Sequence, residues 1–321
     1  MRRHIYIALL IVCTSCSKVA QVTPIVSECA SMPSPRASAC VAVLNNNAYI
    51  FGGRDSAGTY LNDLWIYDAV ADTWSDAGKT PLKARVNAAA AAMGDAIYIG
   101  LGFSATHAYT DSGYQRDWWR YTPADGVWTP LADFPNKNVI APILAVEGTD
   151  IYAFYGCGYA QQQEVWRYQT DTDEWTRVTT PADAMPRAFG CAGAQSGGVL
   201  YFGTGFNSQN LTDWYMVTLP DNRWTKRTGI PGKGREFCAC TATDQYVYLF
   251  GGRYFGGDMT GGEVFESYLR YTPSGDEWTY CGTMPCGRAE NQIAFTINGK
   301  AYFGLGEDAK GKMTDQLYYI E

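Results

Sequence analysis

Five tryptophans, Trp74, Trp128, Trp175, Trp224 and Trp278, follow one another at intervals of 54, 47, 49 and 54 residues. Recurrence at such a period marks a chain made by copying and stacking one supersecondary unit. Upstream of each tryptophan lies a run rich in glycine: "YIFGGR", "YIGLGF", "YGCGY", "YFGTGF" and "YLFGGR", with a sixth, "YFGLGE", near the end of the chain. Between glycine and tryptophan sits an aromatic run such as "DLWIYD", "DWWRYT" or "SYLRYT". Before the glycine run comes a stretch of small residues: "ACVAVL", "NAAAAAM", "FCACTA".

Each repeat reads as four short strands, because the aromatic runs alternate with period two and the intervening turns are rich in Gly, Asp and Asn. A lone four-stranded sheet cannot cover both of its faces, so neighbouring sheets must stack around an axis. The small residues belong to the innermost strand, where sheets converge and bulky side chains would collide. The sequence therefore predicts an all-β fold, a six-bladed β-propeller with four antiparallel strands per blade. The sixth repeat lacks a tryptophan strand. The segment "TPIVSECASMP" should supply it, since Val26 precedes Pro33 by seven residues, as Trp74 precedes Pro81 and Trp278 precedes Pro285.

These residues resemble the kelch repeat, whose pattern is a di-glycine after an aliphatic run and then a spaced Tyr and Trp. "YIFGGR…LWIYD…TW" and "YLFGGR…YLRY…EW" match it closely, while other repeats carry Gly-x-Gly. The resemblance covers essentially the whole chain after its first residues. More distantly, the chain is similar to propellers of the N-acetylneuraminate epimerase and galactose oxidase types.

The first residues read as a processing segment. Arg2 and Arg3 precede "IYIALLIVC", an apolar run too short for a bilayer span. The following "CTSC" resembles a bacterial lipobox in which Cys16 becomes the lipidated first residue, with Cys13 standing where that pattern prefers Leu. The expected organisation is a signal peptide at 1–15, an anchor and linker at 16–21, and a propeller at 22–321. That places the chain in the cell envelope as an outer-membrane lipoprotein or a periplasmic protein, touching membrane only through its anchor. The formal net charge of −7 with no basic block argues against nucleic acid.

Catalytic machinery is sparse. Of two histidines, His4 falls in the leader and His107 stands alone in "SATHAYTD". The resemblance to galactose oxidases implies no copper here, since that site needs two histidines. "GLGF" and "GTGF" end strands with no helix to hold a phosphate. Eight cysteines follow Cys16, an even number whose pairing the sequence leaves open. Cys29 and Cys281 occupy equivalent outer-strand positions, while those of the inner strands read as small buried residues. No metal or cofactor is expected.

Arginine carries the strongest site signal. A proline and then an arginine lead into the inner strand at Arg36, Arg85, Arg187, Arg235 and Arg288, whereas the third blade offers Lys137 and Asn138. The glycine runs end at the same mouth, bringing Arg54 and Arg253 with the aromatics Phe103, Tyr159 and Phe206. A cationic ring beside aromatics suits an anion or a carbohydrate, because guanidinium forks a carboxylate bidentately. In kelch adaptors that grip acidic peptides, arginines from these places hold the ligand; Arg54, Arg253, Arg36 and Arg187 match by motif position. The alternative is that the ring merely pairs with Glu236, Glu290, Glu307 and other mouth acids.

Two functions follow. One is a non-catalytic envelope module, monomeric, binding a protein partner, a glycan or an acidic ligand at the mouth. The other, implied by the epimerase resemblance, is a cofactor-free sialic acid epimerase or mutarotase with Glu236 and Glu290 as acid and base. The blade-four segment "FNSQNLTDW" lacks the Glu and Arg of that family's catalytic loop.

Overall fold

The strands with the smallest side chains lie nearest the axis. In a computed structural model of the chain, Cys40–Leu44, Ala89–Met93, Ile143–Glu147, Ala192–Ser196, Ala239–Ala242 and Ile293–Ile297 each open a four-stranded antiparallel sheet. Each of these strands touches the next, and the last returns to the first, so the six sheets close a ring. Residues 24–104, 113–135, 139–156, 163–255 and 262–321 are described. The predicted leader, the Cys16 anchor, His107, Lys137, Asn138, Cys157 and Tyr159 lie outside them.

Ring closure follows the predicted route. Val26–Glu28 forms the outer strand of blade 6, with Val26 opposite Ile320, Ser27 opposite Tyr319 and Glu28 opposite Tyr318. An N-terminal strand thereby completes a sheet begun by the C-terminal residues.

The landmark aromatics have a mechanical role. Tyr67 and Trp74 face each other across strands 3 and 4 of blade 1, ring centroids 5.0 Å apart. The Tyr67 hydroxyl donates to Asp72, whose same oxygen accepts the Ala30 amide, and Trp74 Nε1 donates to the Ala30 carbonyl. Ala30 follows the outer strand of blade 6, so the Tyr–Asp–Trp set grips the neighbouring blade. Tyr168, Asp173 and Trp175 grip Ala132 in the same way, and Tyr271, Asp276 and Trp278 grip Thr228. The repeat is thus a clamp as well as a sheet.

The glycine runs reduce to one obligatory glycine per blade. Gly53, Gly102, Gly156, Gly205, Gly252 and Gly306 all have φ between 83° and 109°. At Gly102 an added Cβ would stand 2.7 Å from the Val86 carbonyl oxygen and 2.9 Å from Ala88. The preceding position is also left-handed, yet holds Leu101, Tyr155, Thr204 and Leu305 as well as Gly52 and Gly251. Di-glycine and Gly-x-Gly repeats are therefore the same turn, differing in whether the tolerant position is filled.

Cysteines pack as thiols. Cys29 and Cys281, equivalent by sequence, are buried and unpaired in separate apolar clusters, so the positional equivalence does not become a disulfide. Cys40 and Cys240 on the inner strands, and Cys238 immediately before one, are free thiols.

Gly102→Ala combines a left-handed backbone with a backbone clash, and should destabilise the fold by about 3 kcal/mol or more. Urea unfolding measures it; a loss below about 1 kcal/mol would mean that the turn can relax.

Candidate functional site

Six residues at the starts of the inner strands, Ser38, Asn87, Ala141, Gly190, Phe237 and Asn291, all take positive φ. Their backbones are linked around the axis. Asn87 N–H donates to Ser38, Ala141 to Asn87, Phe237 to Gly190, Asn291 to Phe237 and Ser38 to Asn291. This girdle lines a small axial cavity of about 170 Å³. Immediately before five of the girdle residues, the backbone pairs with the turn after the second strand. The pairs are Ala37 with Arg54, Val86 with Phe103, Phe189 with Phe206, Glu236 with Arg253, and Glu290 with Glu307.

That order divides the mouth in two. Among the described residues, blades 2 and 4 contribute an aromatic side. Phe103 meets Tyr114 edge-on at 5.2 Å, and Phe206 contacts Phe189 at 5.4 Å and Phe255 at 5.5 Å. Blades 5, 6 and 1 contribute a charged side. Arg253 Nε donates to Glu236 at 2.8 Å and lies 3.5 Å from Glu290. Arg54 is ion-paired with Glu307, which also accepts from Asn291 at 3.1 Å. Phe237, under the Arg253 guanidinium at 5.0 Å and 6.1 Å from Phe189, joins the two sides.

Burial is uneven within the charged side. Glu236, Glu290 and Glu307 are at most 8% exposed, while the side chains of Arg54 and Arg253 are 32% and 36% exposed. Three sunken carboxylates thus hold two guanidiniums at the surface. Burial raises the Glu236 carboxyl above its usual range against the opposing pull of Arg253. It pushes Glu290 up to about 7, with Arg253 opposing and Glu307 and Glu236 adding repulsion. The second oxygens of Glu236 and Glu290 accept no hydrogen bond among the described residues.

The expected ring of arginines needs correction, because the structure sorts them into different roles. Arg36 and Arg85 are 0% exposed. Arg36 forks Asp63 at 2.8 and 3.0 Å and donates to the Gly52 carbonyl; Arg85 forks Asp117 at 2.6 and 2.8 Å and donates to that of Leu101. Both brace a blade from inside, and Arg36 holds the Asp63 carboxyl low despite its burial. Arg235 occupies the same slot, but Ser267 stands where the aspartate would be. Its guanidinium is over Phe265 at 4.0 Å and donates to Gly251 and Ser267. Arg187 and Arg288 are exposed. They stand one residue too early, and Ala188 and Ala289 fill the slot. Of the proposed ligand arginines, Arg54 and Arg253 are the ones held on the mouth glutamates, Arg253 over Phe237. Phe103 and Phe206 lie where expected, Phe103 buried and Phe206 half-buried.

Phe237 and Asn291 were missed by sequence reasoning, as were the partners Asp63 and Asp117. The signal for the aspartates was present: each opens the aromatic strand one repeat element after a slot arginine. Among the described residues no group of His, Cys, Asp and Glu could hold a metal ion.

A six-bladed propeller with a two-sided mouth defines the class of protein, and comparison shows what it resembles. Residues 11–143 match the KLHDC2/KLHL20/DRC7 Kelch-repeats domain. Kelch-like protein 25 of Xenopus tropicalis is 24% identical over 279 residues, 84% of this chain and 45% of that protein. Kelch-like protein 23 of Mus musculus is 26% identical over 255 residues, 78% of this chain and 42% of that protein. The chain thus spans less than half the length of these curated relatives. The solved structure of YjhT shares the fold with a TM-score of 0.74 at 16% identity, covering 89% of this chain and 95% of that one. The chain is a six-bladed propeller similar to kelch-repeat proteins.

Glu290 yields a pH signature. Its folded value of about 7 lies above the ordinary 4.5, so its neutral form stabilises the fold fully below 4.5, and that contribution is lost as pH rises through 7. Glu290→Gln should flatten this loss and raise stability at pH 8 by about 1–3 kcal/mol. Urea midpoints from pH 5 to 8 measure it; an unchanged slope would assign the proton elsewhere.

Proposed function

We propose that the protein is a non-catalytic binding module of the cell envelope, and that its mouth takes an acidic segment of a protein partner. A kelch propeller is the architecture of a protein-interaction module. The observation that carries the finer reading is the pair Arg54 and Arg253, raised on buried glutamates, with Phe237 under the Arg253 guanidinium. A partner carboxylate would meet guanidinium edges whose orientation is already held, which lowers the ordering cost of binding. A neighbouring apolar side chain would rest on the aromatic side. Because the mouth's own acids compensate both arginines, binding should depend on fit as much as on net charge, and long-range steering should be weak.

Arg54→Ala and Arg253→Ala should each weaken binding of an acidic peptide pool by about tenfold to a hundredfold. Arg187→Ala, outside the mouth cluster, should leave it unchanged. Calorimetry on peptides recovered by display measures this; equal affinity in all three variants would move the site elsewhere.

Glu290 supports a second reading. A buried carboxyl titrating near neutrality can both donate and accept a proton, as opening and closing a sugar ring requires. A sialic acid mutarotase would then use Glu290 with Arg253 for the substrate carboxylate. NMR of a single freshly dissolved sialic acid anomer decides it: acceleration lost in Glu290→Gln supports catalysis, and a rate equal to buffer removes it.

A further inference from the structure

Blade 6 repeats blade 1 bond for bond around the arginine slot, with the plug missing. In blade 1 the Asp55 amide donates to the Thr59 carbonyl, and Asp55 Oδ1 accepts from Ala57 and Thr59. In blade 6 the Asp308 amide donates to Lys312, and Asp308 Oδ1 accepts from Lys310 and Lys312. Leu61 N–H donates to Gly53, as Thr314 N–H does to Gly306. By this register Ala289 stands where Arg36 does, Gln316 where Asp63 does, and Leu305 where Gly52 does. The wall is built and the guanidinium is absent.

A cavity of about 330 Å³ opens there, lined by Ala289, Gln316, Thr314, Asp315, Glu307 and Asp308. That volume falls at the small end of the range for ligand sites. Its lining differs from that of an accidental void: three carboxylates, one primary amide and the backbone of a turn that elsewhere in the same chain seats an arginine. Two cations, Arg288 and Lys312, also line it. Arg288 is drawn toward blade 5, donating to the Val264 carbonyl at 2.9 Å with Glu263 and Glu266 at 3.8 and 3.9 Å. Lys312 is exposed at the rim.

We infer that this cavity between blades 5 and 6 is a subsite for a guanidinium side chain supplied by a partner. The ligand arginine takes the place that Arg36 and Arg85 take in blades 1 and 2. Its fork meets Gln316 and the Leu305 carbonyl, as Arg36 meets Asp63 and Gly52 and Arg85 meets Asp117 and Leu101. Gln316 offers one acceptor where aspartate offers a charged pair, so the subsite binds more weakly than the internal slots and exchanges its guest. The inference stands independently of the ligand proposed for Arg54 and Arg253.

The probe is N-acetyl-L-arginine amide, titrated into the full chain while the Ala289 and Gln316 resonances are followed by NMR. The neutral isostere N-acetyl-L-citrulline amide is the control. Saturable shifts with arginine and none with citrulline are expected. Gln316→Asp restores the carboxylate of blades 1 and 2 and should tighten binding about tenfold. Ala289→Arg supplies the plug in cis and should abolish binding while the chain stays folded. Equal shifts with citrulline, no gain in Gln316→Asp, or undiminished binding in a folded Ala289→Arg chain would each overturn the inference. Should Ala289→Arg fail to fold, the gain in Gln316→Asp decides alone.

Discussion

A four-stranded sheet with two apolar faces has no stable existence in water, and in this chain every such face is covered by the next sheet. Tyr67 illustrates the dependence. It packs on Trp74 within its own blade and on Phe295 and Tyr302 of the neighbour, while its hydroxyl reaches Asp72 and through it the Ala30 amide. Hydrophobic cover and hydrogen-bonded clamp act at one place. Closing the ring is what allows both, because an open row of blades would leave its two end faces exposed. The short strand Val26–Glu28 therefore matters beyond its three residues.

Convergence of the blades explains the mouth. Six inner-strand backbones approach the axis, and left-handed residues at their starts turn the chain so that five of the six amides reach the adjacent carbonyl. Whatever precedes and follows the girdle is displayed at successive points around the axis. Variation at those points costs the fold little. Nature of the side chain can therefore change from Phe103 in one blade to Arg253 or Glu307 in another, and a single scaffold carries an aromatic side and a charged side.

The arginine slot shows the same freedom inside the blades. With Asp63 or Asp117 opposite, a fully buried guanidinium is satisfied and braces the sheet. With Ser267 opposite, Arg235 is left with neutral acceptors, and burial lowers its proton affinity. With alanine in the slot, blade 6 has an open cavity. Pairs of buried charges contribute mainly when both members are present; blade 5 has lost one and meets the demand with neutral acceptors and Phe265, while blade 6 has lost both.

Repetition was legible from residue spacing alone, since Trp, Tyr and Gly recur at positions dictated by local strand and turn geometry. Blade number, the inner placement of alanine and cysteine, and closure by Val26 followed from counting and from steric size. The roles of the arginines did not. Arg36, Arg85 and Arg288 share similar local sequence, yet one residue of register puts two of them wholly inside and the third outside. Whether a guanidinium faces solvent depends on that register, and how it is satisfied depends on a residue some 27 or 32 positions away that the turn brings close. Periodicity is a local property that a chain writes into itself, whereas charge pairing is set by which side chains the closed ring brings within hydrogen-bonding distance.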